Sequence, residues 1–142
     1  MPIVRPLPSA AAVFSATALL AMLAFAAPAA ASDGCDFQSF NHNGSRMDYE
    51  NCGGPLAILY NQPRSALKRH GVRSGTVLFE GSITRSGRIS GTAYRFKSGC
   101  RPIGYAVSGR YSDGGFTLSG TAPIRGSGCT VTRYKKDRLR FD

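Results

Sequence analysis

The 142 residues contain no tryptophan, two histidines, His42 and His70, and eight acidic side chains. Each shortage removes a class of chemistry. The four cysteines, Cys35, Cys52, Cys100 and Cys129, include no C-x₂-C pair, and the histidines are far apart, so no zinc-ligand spacing is present. The Gly-x-Ser-x-Gly elbow of a serine nucleophile is also missing. Of the two histidines, His70 is the better candidate base, but Arg69 and Gly71 flank it and its position suits a helix end. Asp48 and Glu50 share one face of a short strand, where exposed carboxylates have ordinary surface roles. Nothing calls for a metal or a cofactor, and the residues point away from an enzyme.

One strongly apolar run is present, at the start. Arg5 supplies a positive n-region. Ala10 to Ala27 carries Leu19, Leu20, Met22, Leu23 and Phe25 with only Ser15 and Thr17 polar, and Pro28 precedes Ala29-Ala30-Ala31. Residues 1–31 therefore read as a secretory signal peptide cleaved after Ala31. A retained transmembrane segment is disfavoured, because it needs roughly 20 strongly apolar residues and this run is mostly alanine. Ser32-Asp33-Gly34 before Cys35 does not suit a lipoprotein. The expected destination is the periplasm or the exterior, which removes cytoplasmic nucleic acid as a partner.

Residues 32–142 are enough for one modest core. All four cysteines lie in this part, and an even count in an exported chain implies disulfides. These residues carry 17 basic and 8 acidic side chains, a net charge of +9. A field of that sign favours an anionic glycan or a lipid head group.

The pattern beyond residue 31 is all-β. Residues 32–46, polar and Gly/Asn-rich, read as an irregular lead-in, and 47–142 as a single β domain. Met47–Glu50 and Leu56–Tyr60 have strand character, and Pro63–Gly71 reads as a short helix. Then Ile89-Ser90-Gly91-Thr92-Ala93 returns 29 positions later as Leu118-Ser119-Gly120-Thr121-Ala122, and Ser98-Gly99-Cys100 as Ser127-Gly128-Cys129. Residues 75–103 and 104–132 thus read as two copies of a hairpin unit. Their strands are expected at Thr76–Ile83 and Arg88–Lys97, then at Tyr105–Tyr111 and Phe116–Ile124, with Asp113-Gly114 as a turn signal. Thr130–Tyr134 and Arg138–Phe141 follow, separated by a turn at Lys135-Lys136-Asp137. The expectation is an antiparallel meander of about seven or eight strands, a small barrel or a sandwich, with a duplicated hairpin and one short helix.

Equivalent positions in successive hairpins lie roughly 10 Å apart, beyond the roughly 7 Å Cα reach of a disulfide. Cys100 and Cys129, however, sit in turns at one end of the sheet, and turns can lean together. Of the three possible connectivities, Cys35–Cys52 with Cys100–Cys129 is favoured.

Pro63-Arg64, Gly71-Val72-Arg73-Ser74-Gly75-Thr76-Val77-Leu78-Phe79-Glu80-Gly81, Gly91-Thr92-Ala93 and Gly99-Cys100 together resemble an uncharacterised family of small exported α-proteobacterial proteins and domains, some attached to caspase-like peptidase domains. The likeness covers roughly residues 52–141. The family has no assigned activity, so the resemblance implies no site residues. The caspase-type Cys/His signature is absent, so a peptidase activity is not implied either.

The candidate binding residues are basic. Arg133, Lys135, Lys136, Arg138 and Arg140 cluster near the C-terminus, with Tyr134 and Phe141 among them. Arg64, Lys68, Arg69 and Arg73 surround the short helix, and Arg95, Lys97 and Arg101 lie near one hairpin end. Arginines beside aromatics on a sheet suit phosphate binding or ring stacking. The expected function is a non-enzymatic exported β-domain that binds an anionic envelope or extracellular component. The alternative is a protein-binding module, such as a hydrolase inhibitor or a host/envelope interaction protein.

Overall fold

Large apolar and small polar side chains alternate along most of the chain, and this period of two selects strands. The computed structural model describes residues 34–142, so the segment read as a signal peptide lies outside the described residues. Eight strands form: β1 (Asp36–His42), β2 (Ser45–Asn51), β3 (Pro55–Gln62), β4 (Val77–Ile83), β5 (Arg88–Lys97), β6 (Cys100–Ser112), β7 (Gly115–Arg125) and β8 (Val131–Phe141). A single helix among the described residues, α1 (Ser65–Lys68), lies between β3 and β4. Every strand pairs antiparallel with its successor, giving one meander sheet in the order β1 to β8.

The sheet curls until its ends meet. Asn41 and Asp142 exchange two backbone hydrogen bonds, with N···O distances of 2.7 and 3.2 Å. The β1–β8 ladder goes no further, so the sheet is not closed into a barrel. The concave side holds the core. Met47, Ile58, Phe79, Ile89, Leu118 and Phe141 are fully buried there. Phe40 on β1 reaches across to Phe116 on β7, with ring centroids 5.3 Å apart and edge-to-face.

Two expectations are corrected. The irregular lead-in over 32–46 is a hairpin from Asp36 onward, with Phe40 buried and Asn43-Gly44 as its two-residue turn. Both turn residues have positive φ, 48° and 75°, as a twisted hairpin requires. The turn at Lys135-Lys136-Asp137 does not exist. Those residues pair with Ala122, Thr121 and Gly120, and β8 runs unbroken through them. Continuing the ladder satisfies backbone groups that a turn there would leave open.

The β4–β5 and β6–β7 hairpins hold the matching segments 75–103 and 104–132. Ile89 and Leu118 occupy equivalent buried places, as do Ala93 and Ala122, while Ser90 and Ser119 are both exposed. Gly81 and Gly91 pair across β4 and β5, and the Phe79 ring lies over them. A Cβ on either glycine would come within 2.8 Å of Phe79 Cζ. Cys35–Cys52 ties the start of β1 to the end of β2. Cys100–Cys129 ties the β5–β6 connection to the β7–β8 loop, with the Cα atoms 5.5 Å apart.

Candidate functional site

Parity along β8 divides the C-terminal basic cluster. Leu139 and Phe141 are buried on the concave side, so Tyr134, Lys136, Arg138 and Arg140 project from the convex side. Arg133 and Lys135 have the opposite parity and leave the group, although they too are exposed. Across the sheet, β7 places Thr121, Ser119 and Thr117 opposite Lys136, Arg138 and Arg140. β6 adds Ser108 opposite Ser119 and Arg110 opposite Thr117, and β5 adds Arg88 opposite Arg110.

The convex face of β5 to β8 is thus a platform of small hydroxyl side chains bordered by five cations, Arg88, Arg110, Lys136, Arg138 and Arg140. Its side chains are small for a local reason. Apolar bulk at every second position is drawn to the core, which leaves serine and threonine outside. At one end, Arg110, Thr117 and Arg140 line an open groove of about 400 Å³. Arg140 Nε lies 3.2 Å from Asp142, an exposed pair worth little in water. Arg110 Nη1 donates to the Ser86 carbonyl at 2.9 Å, which ties the guanidinium to the β4–β5 turn at the border of the platform. Arg88 and Arg110 were not singled out in the sequence; their shared parity with Ser90 and Ser108 is the signal that could have found them.

The remaining predicted residues lie elsewhere. Arg64, Lys68 and Arg69 are exposed on and beside α1, and Arg64, Lys68 and Arg73 line a shallow hollow of about 620 Å³. Arg73 Nη1 spends two donors on the carbonyls of Lys68 and Val72. His70 accepts the Ser98 backbone N–H at Nδ1, at 3.3 Å, and so joins the helix end to the β5–β6 turn. Lys97 donates to the Gly126 and Gly128 carbonyls and braces the disulfide-linked loop.

Inside the curl lies a cleft of about 170 Å³ that the sequence did not announce. Five strands contribute His42, Tyr60, Arg95, Tyr105 and Asp137 to its polar lining, and Asn43 and Tyr94 complete it. The Tyr105 hydroxyl donates to Asp137 Oδ2 at 2.7 Å, and Arg95 Nη1 lies 3.6 Å from the same oxygen. Burial and that hydrogen bond push the Tyr105 phenol well above its ordinary range. Burial likewise pushes the Tyr60 phenol up to about 12. His42 Nδ1 lies 2.8 Å from the Arg140 carbonyl, which accepts only, so Nδ1 carries the proton and Nε2 accepts from the Asn43 amide at 3.2 Å.

Among the described residues no group of three or more His, Cys, Asp or Glu is placed to hold a metal ion. No helix among them is long and apolar enough to cross a membrane. The two disulfides fit an oxidising compartment outside the cytoplasm. Comparisons of the chain with protein-family models, with curated proteins and with solved structures return no match.

Proposed function

We propose that this chain is a non-enzymatic β-domain, exported to the periplasm or the exterior, whose convex face binds an acidic glycan of the envelope or its surroundings. The observation that carries this is the stripe Tyr134, Lys136, Arg138 and Arg140 on one face of β8, flanked by the Ser/Thr platform and Arg110. Residues two apart on a strand are about 6.8 Å apart, so the stripe extends about 20 Å. That length suits a linear polyanion. The exposed Tyr134 ring, 68% accessible, offers an apolar face for stacking a sugar ring. The serine and threonine hydroxyls supply short donors and acceptors between the charges.

Retention of residues 32–142 on immobilised heparin and on lipopolysaccharide, measured against salt, tests the proposal. The expected result is saturable binding that weakens steeply with salt, because several charged contacts release counterions together. A triple change, Arg110→Gln, Arg138→Gln and Arg140→Gln, abolishes it. The equally charge-depleted control Arg64→Gln, Lys68→Gln and Arg69→Gln leaves it nearly intact. Equal loss in both variants reduces the effect to net charge and defeats the assignment of a face.

The rival, a protein-binding module, draws support from Phe37. This aromatic is 66% exposed on β1 and is not part of the basic stripe on β8. Recovery of one stoichiometric protein partner, lost on Phe37→Ser and retained in the arginine triple variant, favours that rival.

A further inference from the structure

We propose that the cleft inside the curl is a second and separate binding site, which takes a small uncharged aromatic alcohol of about phenol's size. A curled eight-stranded sheet has room inside for its own side chains or for one small ligand. This one keeps about 170 Å³ open, and an apolar cavity of roughly 150 Å³ in another protein accepts a benzene ring. Leu67, Leu78 and Phe96 supply apolar walls. The Phe96 and Tyr60 rings meet edge-to-face at 6.2 Å, an arrangement that extends naturally to a third ring.

The polar groups select the substituent. Arg95 and Asp137 offset each other, so the cleft presents no net charge and neither an anion nor a cation gains by entering. Asp137 accepts from the Tyr105 hydroxyl and from the Arg138 backbone N–H, and an ionised carboxylate has lone pairs for a further donor. Tyr60 is 4% exposed and lines the cleft, and because no buried side-chain polar atom among the described residues lacks a partner, its unpaired hydroxyl sits where an occupant can reach it. A phenol can donate to Asp137 and accept from Tyr60. An unsubstituted ring can do neither. An aromatic acid gives up the hydration of its carboxylate for a cleft with no net charge to replace it.

Titration of the oxidised protein with phenol, toluene and benzoate, followed by methyl and amide NMR, tests this. Phenol is expected to give saturable shifts at Leu67, Leu78 and Leu139, and toluene and benzoate to bind about tenfold more weakly, the weight of one buried hydrogen bond. Tyr60→Phe keeps the ring and the fold, as its amide spectrum will show. It should weaken phenol about tenfold and leave toluene unchanged. Absence of saturable shifts with phenol, equal affinity for phenol and toluene, preference for benzoate, or indifference of phenol to Tyr60→Phe would each overturn the proposal.

Discussion

Replacing Cys100 and Cys129 by alanine opens a covalent loop with a sequence separation of 29. In the chain-entropy account that loop restricts the unfolded chain by about 12 cal/mol/K, or about 3.6 kcal/mol at 25 °C. The same reckoning for Cys35–Cys52, with a separation of 17, comes to about 3.1 kcal/mol. The folded state keeps other ties across the first bridge. Arg125 donates to the carbonyls of Arg101 at 2.6 Å and Arg95 at 3.1 Å, and Lys97 holds the Gly128 carbonyl at 2.7 Å. The cut therefore acts mainly on the unfolded ensemble. Urea unfolding is followed by tyrosine emission, which no tryptophan masks, with mass spectrometry confirming that the other bridge is intact. At a slope of about 1.5 kcal/mol/M the midpoint falls by about 2.4 M, and the slope itself rises as the unfolded chain expands. A loss below about 1 kcal/mol, or a larger loss from the Cys35/Cys52 pair, refutes the reasoning.

Stability should also fall in mild acid. Burial, opposed by the Arg140 carbonyl and the nearby Asp137 charge, holds the His42 imidazole below its ordinary value of 6.5. The unfolded chain takes up a proton near pH 6.5 that the folded chain refuses. The His42 contribution is thus fully present above that pH and is lost as pH falls below it, by at most about 1.4 kcal/mol per pH unit. Urea midpoints measured from pH 7.5 to 4.5 should show this slope in the parent protein and a reduced one in His42→Asn. A second change tests the inner packing. Gly91→Ala drives a methyl group against Phe79 and the facing β4 backbone and should cost about 1–3 kcal/mol. Ser90→Ala, its neighbour on the exposed face, should stay within about 0.5 kcal/mol by the same unfolding assay.

Where the local pattern and the tertiary demand agree, the chain is readable. Arg88–Lys97 alternates cleanly, and β5 has those bounds. Pro102 and Gly104 discourage a strand, so the expected start is Tyr105, yet β6 begins five residues earlier at Cys100. Pairing with β7 extends only to Val107, so Pro102 has no partner on that side and its missing N–H costs nothing. Lys135-Lys136-Asp137 reads as a turn by composition alone, but it lies in register with β7 and remains extended. The favoured cysteine pairing rested on turns meeting at one end of the sheet, and both bridges are present. The basic stripe was half visible: five cations close in sequence, but the period of two assigns Arg133 and Lys135 to the other side. The inner cleft was invisible, because no spacing rule links His42, Tyr60, Arg95, Tyr105 and Asp137, which only the curl brings together.

Each strand's partner is the next strand in the chain, and this has a consequence for the order of assembly. A polypeptide that emerges with its N-terminal end first, from a ribosome or a membrane channel, can add strands one after another onto a growing edge. No strand need wait for a distant partner, so the entropy of closing long loops is largely avoided. At any moment two edges lie open to misplaced pairing with a neighbouring chain: the newest strand, which the next arrival covers, and β1, which stays uncovered until the curl brings the ends together. The Asn41–Asp142 contact is the exception. It needs both ends of the sheet, so it is the seal that forms last and the natural place for the finished molecule to open first.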